Sequence, residues 1–307
     1  MKELIIDKTI HYVSRRTFLK TAVGAASILG APGNPAMAAQ PQAIVPTRPF
    51  GKTGIDVPIL SFGGSLSTSL STLLLRQAVK WGVTYWDTAN TYMGGRSEKG
   101  MGKYFEKYPA DRKRIFLVTK SHAWTTEGMS EDLNLSLERM QTDYIDLYQT
   151  HWFDDSTPME ETLSAMDSLV QSGKVRYIGV SNFKGYQIQK ANDIARANGW
   201  EPFTCLQPLY NLLDRFIEWE LLELCEAEGM GIIPWSPLRG GWLTGKYRRG
   251  MDELPDDGRI KQATKEGWSE SWDNYNTERT WGIIETLVSI ADELGKAPAQ
   301  VALNWVK

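Results

Sequence analysis

Residues 83–92 read VTYWDTANTY, a short β-branched and aromatic run that ends in Asp87 and leads into Tyr92. Two similar runs follow along the chain: IFLVTK, which ends in Lys120, and YIDLYQT, which is followed directly by His151. Each run predicts a strand, and each precedes a segment of helical periodicity. The carboxyl ends of parallel strands meet at one face of a β/α barrel, so we expect these four side chains to converge there.

The same alternation extends to both sides of this stretch. Seven short apolar runs have strand character, and helical periodicity follows the first six directly. The runs lie near residues 59–62, 83–87, 115–119, 144–148, 175–180, 203–207 and 231–235. After the last run come a long polar loop to about residue 276 and helical segments near 278–294 and 298–307. Strands that alternate with helices predict an α/β fold with a parallel sheet, and this series favours a (β/α)8 TIM barrel.

The predicted barrel is one strand short. The chain reaches Lys307 within a helical run, AQVALNWVK, that contains no capping residue or stop signal. A barrel that lacks one strand would leave two unpaired strand edges, which natural proteins avoid. We therefore expect that the eighth strand and its helix are missing from this chain.

The amino-terminal residues have the pattern of an export signal. Ser14–Lys20 reads SRRTFLK, residues 21–31 form a mild apolar stretch, and AMAA at 36–39 offers small residues to a signal peptidase. The pattern resembles a bacterial twin-arginine signal and predicts recognition by the twin-arginine export machinery and a periplasmic location. The alternative is a poorly ordered amphipathic amino terminus. The apolar stretch is shorter than the ~20 residues of a membrane-spanning helix, so no stable membrane insertion is expected.

The chain divides into three parts. Residues 1–38 are predicted to be the signal and residues 39–49 a Pro-rich linker. Residues 50–307 are predicted to form one barrel domain, which begins with a hairpin turn at FGKTG and is expected to be incomplete at its carboxyl end.

Composition and residue counts disfavour several classes of function. A net charge of −3, with a local surplus of cations only in the first 20 residues, leaves no basic stripe for nucleic acid. Cys205 and Cys225 are too few to hold an iron–sulfur cluster or a zinc site, and we expect buried thiols rather than a disulfide bridge. His122 and His151 lack metal-type spacing, so no metal site is expected and a metallohydrolase is disfavoured. No GxGxxG fingerprint follows a strand, so a Rossmann domain is not indicated.

The chain resembles the aldo-keto reductase family over about residues 50–307. The resemblance rests on stretches that occur in the family's order: FGKTGIDVPILSFGG, WDTANTYMGGRSE, IFLVTK, DYIDLYQTHW, KVRYIGVSN, LQPLYNLLDR, PWSPLRGGWLTGKY and APAQVALNWV. It implies a (β/α)8 barrel that reduces a small-molecule aldehyde or ketone with a nicotinamide cofactor.

The resemblance implies a role for each of the four polar side chains. Tyr92 would be the general acid that protonates the carbonyl oxygen as hydride attacks the carbon. The ammonium of Lys120 would lower the pKa of the Tyr92 phenol, and Asp87 would keep Lys120 charged and oriented. His151 would orient the substrate oxygen and help to polarise it.

The resemblance also implies a cofactor site after the later strands. Ser181, Asn182 and Gln207 would hold the nicotinamide amide, and Trp235 would stack on the nicotinamide ring. The loop along the pyrophosphate would comprise Ser236, Pro237, Leu238, Gly240 and Lys246, with a contribution from Arg259. Alternatively, Asn182 would cap the next helix and Trp235 would belong to the core.

The family usually uses the phosphorylated cofactor, so NADP(H) is expected, with NAD(H) as the alternative. The Gly-Ala-Arg segment that normally contacts the adenosine phosphate is absent from this sequence, so the preference is inherited from the family alone. His122 and Trp124, just past Lys120, are expected to line the substrate mouth.

A second class of function stays open. Some relatives of the family serve as regulatory subunits of channels, so a non-catalytic nicotinamide-nucleotide-binding regulatory or sensor subunit is the alternative. The complete set of four polar side chains favours an enzyme, because nucleotide binding alone would not require all of them. Oxidation of the cofactor by an aldehyde separates the two: turnover indicates an enzyme, and tight binding without turnover indicates a sensor.

Overall fold

The computed structural model describes residues 45–65 and 71–307 of the chain. The predicted export signal (1–38) lies outside the described residues, as do residues 39–44 of the predicted linker. The remainder of that linker runs into an antiparallel hairpin, in which β1 (Thr47–Pro49) pairs with β2 (Asp56–Pro58).

The turn between β1 and β2 packs against the barrel. Gly51 has a φ of +53°, and a Cβ atom at this position would overlap the carbonyl oxygen of Gly229, so only glycine fits here. Phe50 is buried and packs edge-on against Tyr85 and Phe116, at ring-centroid distances of 6.1 and 5.5 Å. The hairpin therefore covers the amino-terminal end of the strands and does not cover their carboxyl end.

Seven strands form one parallel sheet whose spatial order follows the chain order. They are β3 (Phe62–Gly63), β4 (Tyr85–Asp87), β5 (Phe116–Ser121), β6 (Ile145–Thr150), β7 (Val175–Ser181), β8 (Cys205–Gln207) and β9 (Gly231–Ile232). The curled sheet corresponds to a (β/α)8 barrel without its final strand and helix. The predicted α/β fold class and the seven predicted strands are therefore confirmed for the described residues.

The first and last strands of the sheet are shorter than the sequence predicts. β3 begins at Phe62 because the amide of Ile59 donates to the carbonyl oxygen of Pro46 (2.9 Å) and not to a barrel strand. β9 comprises only Gly231 and Ile232, although the amides of Ile233 and Trp235 still donate toward β8, to the carbonyl oxygens of Leu206 (3.1 Å) and Pro208 (2.9 Å).

Helices alternate with the strands. They are α1 (Thr72–Lys80), α2 (Arg96–Lys107), α3 (Thr126–Met140), α4 (Met159–Gln171), α5 (Gly185–Asn198), α6 (Leu221–Glu228), α7 (Arg259–Glu266), α8 (Trp272–Tyr275), α9 (Glu278–Leu294) and α10 (Pro298–Val306). Within residues 45–65 and 71–307, none of these is both long and apolar enough to cross a membrane.

The long polar loop predicted after β9 contains two helices, α7 and α8, so that prediction was wrong. The α7 sequence, RIKQATKE, buries only Ile260 and Ala263. Two apolar positions in eight residues are too few to give a helical period, which is why the sequence concealed the helix.

Side chains alternate between the two faces of each strand. Those that point into the barrel and form an apolar cluster with the hairpin are Tyr85, Phe116, Val118, Leu147 and Cys205. Side chains of the opposite face, such as Trp86 and Tyr148, belong to the larger core that includes the helices. At the carboxyl end, the inward rows finish in buried polar residues, which are Asp87, Lys120, Gln149 and Gln207. The interior of the barrel is therefore apolar toward the amino-terminal end of the strands and polar at their carboxyl end.

Both cysteines are buried and free, as the sequence predicts. Burial raises the pKa of the Cys225 thiol to about 12 and that of Cys205 well above its usual value. Neither thiol is therefore ionised at neutral pH.

Candidate active site

The structure brings the four predicted catalytic side chains together at the carboxyl ends of β4, β5 and β6. Lys120 donates from Nζ to Asp87 Oδ1 (2.6 Å) and to the carbonyl oxygen of Thr88 (2.7 Å). The same Nζ lies 5.2 Å from the centroid of the Tyr92 ring. The rings of Tyr92 and His151 meet edge to face, with centroids 5.6 Å apart. A phenol, an ammonium, a carboxylate and an imidazole therefore share one site.

Lys120 is a buried cation held charged by its neighbours. Its side chain is fully buried, and burial alone would lower the pKa of the ammonium. The negative charge of Asp87 and the hydrogen bonds to Asp87 and Tyr92 outweigh that penalty, so the pKa of Lys120 is raised. Lys120 is therefore an ammonium throughout the neutral range.

The pKa of Tyr92 moves in the direction opposite to the sequence expectation. Burial of the largely buried phenol raises the pKa of Tyr92 above its usual value of 10, and Lys120 lowers it by less. The predicted effect of the ammonium is present, but in the protein alone desolvation of the phenolate outweighs it. Tyr92 is thus fully protonated at neutral pH, which is the form that a proton donor requires.

His151 is a neutral imidazole. Burial, followed by the positive charge of Lys120 and the proximity of His122, lowers its pKa to about 3. The two imidazole rings lie edge to face, with centroids 4.5 Å apart, and burial lowers the pKa of His122 as well. A neutral imidazole keeps one N–H to donate, so His151 can offer a hydrogen bond without adding a charge.

Gln207 makes a contact that the sequence analysis missed. Its Nε2 donates to Asp87 Oδ2 at 2.8 Å, so the carboxylate is held by Lys120 on one oxygen and by Gln207 on the other. Gln149 accepts a longer hydrogen bond from the same Nε2, at 3.4 Å. The usable signal was period-two alternation, which places both glutamines in the inward rows beside Asp87.

A cavity of about 1080 Å³ is lined by three of the four side chains, which are Asp87, Tyr92 and His151. Nine of the ten predicted cofactor residues line it: Ser181, Asn182, Gln207, Trp235, Ser236, Pro237, Leu238, Gly240 and Arg259. Lys246 does not. It is exposed, and its ammonium lies 5.5 Å from the centroid of the Tyr247 ring.

Asn182 connects the carboxyl ends of β6, β7 and β9. Its Nδ2 donates to the carbonyl oxygen of His151 (3.0 Å) and to Ser181 Oγ (3.0 Å), and its Oδ1 accepts from Trp235 Nε1 (3.0 Å). The following helix, α5, has Lys184 at its N-cap position, so Asn182 does not cap it. Trp235 is partly exposed and lines the cavity, so it is not a core residue.

The loop after β9 is held in an unusual conformation by a buried arginine that the sequence analysis did not select. Ser236, Arg239 and Gly240 have positive φ angles of 55°, 45° and 64°. Arg239 is buried, pairs with Asp214 (3.1 Å) and donates to the hydroxyl of Tyr275 (2.7 Å). The phenol of Tyr275 in turn donates to Asp214 (2.6 Å), so this three-residue network secures the cavity wall.

Arg259 is held at the cavity by an ion pair. Its Nε donates to the buried carboxylate of Glu270 at 2.8 Å, which orients the half-exposed guanidinium. Trp124 Nε1 donates to the carbonyl oxygen of Trp152 (2.8 Å), and it is Trp152 that lines the cavity. Among the residues that the structure describes, no cluster of three or more His, Cys, Asp or Glu side chains is suited to hold a metal ion.

Known proteins resemble this chain over most of its length. The model of the aldo/keto reductase family matches residues 60–307. L-glyceraldehyde 3-phosphate reductase of Escherichia coli is 32% identical over 280 residues, covering 84% of this chain and 79% of that protein. Versiconal hemiacetal acetate reductase of Aspergillus parasiticus is 32% identical over 270 residues, covering 79% and 76%. A putative voltage-gated potassium channel subunit beta of Schizosaccharomyces pombe is 33% identical over 280 residues, covering 85% and 80%.

Proposed function

The chain belongs to the aldo/keto reductase family, and on that premise we propose that it reduces the carbonyl group of a small aldehyde or ketone to an alcohol with a nicotinamide nucleotide. The observation that carries the proposal is the buried Lys120 ammonium, bound to Asp87 at 2.6 Å and lying beside the Tyr92 ring at the cavity wall. A buried ammonium beside a protonated phenol is suited to proton donation.

The residues of the chain account for the proton side of the reaction. Tyr92 donates its phenolic proton to the carbonyl oxygen of the substrate. The phenolate that results is stabilised by the ammonium of Lys120, which Asp87 keeps charged. His151, neutral because of burial, donates a hydrogen bond to the same oxygen and orients it toward Tyr92.

The cavity residues fit a nicotinamide nucleotide. A partly exposed indole (Trp235), an amide (Asn182) and a serine (Ser181) are joined by hydrogen bonds and line the same cavity as Tyr92, as does Ser236, whose φ is positive. The nucleotide would supply the hydride, while these side chains would bind and orient it. NADP(H) rather than NAD(H) is proposed from the family resemblance alone.

A decisive test mixes the purified protein with NADPH and a panel of aldehydes in a stopped-flow instrument. Oxidation of NADPH that depends on the aldehyde supports the enzyme. Because one relative is a putative channel subunit, the same experiment also tests the regulatory alternative. Tight NADPH binding with no turnover on any aldehyde would overturn the reductase in favour of the sensor.

Replacing Trp235 with Ala is expected to weaken NADPH binding about 10-fold, because the stacking surface is lost. The measurement is the dissociation constant from isothermal titration. Trp219→Ala is the matched control, since Trp219 is 89% exposed and does not line the cavity. Equal affinity of the two variants would contradict the assignment of Trp235.

Export is a separate proposal that concerns residues outside the described part of the chain. Replacing Arg15 and Arg16 with Lys is expected to leave the precursor in the cytoplasm, because the export receptor reads the arginine pair. Cell fractionation with immunoblotting measures this, and Lys8→Arg, which leaves the pair intact, is the control. Periplasmic accumulation of the double variant would show that the segment is not a twin-arginine signal.

A further inference from the structure

We propose that Glu98 and Arg139 are positioning residues: their ion pair holds the Tyr92 turn at a set distance from Lys120. The proposal rests on the proposed function, since it concerns the geometry of the proton donor. Neither residue lines the cavity, so neither contacts a ligand bound there.

Glu98 reaches the strand that carries Lys120. It lies in the first turn of α2 and is fully buried, so its charge requires partners. Oε1 accepts from Thr119 Oγ1 at 2.7 Å, and Thr119 directly precedes Lys120 in β5. Oε2 accepts from Arg139 Nη1 at 3.0 Å. The carboxylate therefore ties β5 to the last turn of α3.

Arg139 reaches the turn that carries Tyr92. Its Nη1 also donates to the carbonyl oxygen of Asn90 at 2.9 Å, two residues before Tyr92. On the other side of Tyr92, a Cβ atom on Gly95 would lie 2.5 Å from the guanidinium carbon of Arg139. The planar guanidinium thus lies directly against the Gly95 backbone. One side chain therefore holds the turn on both sides of Tyr92.

The Tyr92 turn has a backbone that needs such support. Met93, Gly94 and Gly95 have consecutive φ angles of 56°, 62° and 84°, and the left-handed region is unfavourable for a residue such as Met93. Conformations of this kind persist where the surroundings over-determine them. Within the turn, the amide of Gly94 donates to the carbonyl oxygen of Thr91 at 3.0 Å.

The contacts of Glu98 and Arg139 form one continuous link between Lys120 and Tyr92. Lys120 is fixed to Thr119 by the chain, Thr119 to Glu98, Glu98 to Arg139, and Arg139 to the residues on either side of Tyr92. If the link is broken, Tyr92 can move relative to Lys120, and a displacement of about 1 Å at a reacting group can reduce a rate by up to ~10²-fold.

Two variants test the link, with one matched control. Glu98→Gln keeps the acceptor for Thr119 but loses the charge that attracts Arg139. Arg139→Lys keeps a charge for Glu98 but loses the planar group that covers Gly95 and reaches Asn90. Asp146→Asn is the control, because Asp146 is equally buried and pairs with Arg112 at 2.9 Å without touching the Tyr92 turn.

We expect both link variants to lower kcat about 10-fold or more, with KM for NADPH within about two-fold of the original protein. Asp146→Asn is expected to lower the Tm comparably and to leave kcat unchanged. A kcat for Glu98→Gln and Arg139→Lys equal to that of the control would overturn the proposal. If one link variant fails to fold, the other carries the test.

A second measurement needs no substrate and separates this proposal from the proposed function. The ionisation of Tyr92 is followed by ultraviolet absorbance, as the difference between each protein and its own Tyr92→Phe counterpart. We expect the midpoint pH of Tyr92 ionisation to change in the two link variants and to stay the same in Asp146→Asn. The reason is that this midpoint depends on the proximity of Lys120 to the phenol. An unmoved midpoint in the link variants refutes the link, whereas absence of turnover in the unmodified protein refutes only the reductase.

Discussion

Replacing Tyr92 with Phe is expected to reduce turnover by at least ~10²-fold while NADPH affinity stays nearly unchanged. The change removes the only phenolic proton at the four-residue site and preserves the ring that packs edge to face on His151, with centroids 5.6 Å apart. Single-turnover kinetics with an aldehyde measure the chemical step, and isothermal titration measures nucleotide binding. The two measurements together separate loss of the acid from loss of the site.

Tyr85→Phe is the matched control for this prediction. Tyr85 points into the same barrel and is fully buried, and among the described residues its hydroxyl has no hydrogen-bond partner. Removing that hydroxyl makes the same chemical change without touching the site, so turnover should stay at the original level. The assignment of Tyr92 fails if the two variants have the same turnover.

Replacing Lys120 with Met is expected to lower turnover by a comparable ~10²-fold and to destabilise the fold by about 3–5 kcal/mol. Turnover falls because the phenolate of Tyr92 loses the ammonium that stabilises it. Stability falls because Asp87, which is 9% exposed, is left with a buried negative charge and no cation. Chemical denaturation and steady-state kinetics measure the two effects.

The pH dependence of this variant has a definite sign. Reduction requires the protonated phenol, so the rate declines as the pH rises through the pKa of Tyr92. Lys120 lowers that pKa, and its removal raises the pKa further. The alkaline limb of the rate profile should therefore move to higher pH even though the rate at every pH is lower.

A double variant, Asp87→Asn with Lys120→Met, separates stability from chemistry. It removes both charges, so the buried carboxylate no longer lacks a partner and much of the lost stability should return. Turnover should stay low, because the ammonium is still absent. If the double variant regains turnover along with stability, Lys120 acts only in folding.

Local patterns in the sequence were sufficient to predict the order of the seven strands and the polar residues that end them. Strand character, helical periodicity and two-residue alternation depend on near neighbours, and the structure confirms all seven predicted strands in chain order. The same alternation brings Asp87 and Lys120 to one site, where they form a hydrogen bond of 2.6 Å. Segments with weak patterns were mispredicted, as in α7, which buries only two residues.

Contacts between distant residues could not be predicted in this way. Gln207 donates to Asp87 across 120 positions of sequence, and Arg139 reaches Glu98 across 41. Alternation places Gln207 in the same inward rows as Asp87, but it does not specify which side chains pair, and no local pattern relates Arg139 to Glu98, because both pairings depend on how strands and helices pack together. A local motif can also mislead: Lys246 belongs to the loop motif predicted to bind the pyrophosphate, yet it does not line the cavity.

The sequence by itself determined which chemical groups meet at the carboxyl ends of the strands, because strand periodicity and chain order set which side chains face one another. The protonation states were decided only by the tertiary structure. The pKa of Tyr92 is raised and that of His151 falls to about 3 because burial contributes more than the neighbouring charges. Burial is a property of the whole packed fold, whereas the identity of the neighbours can be read from the chain.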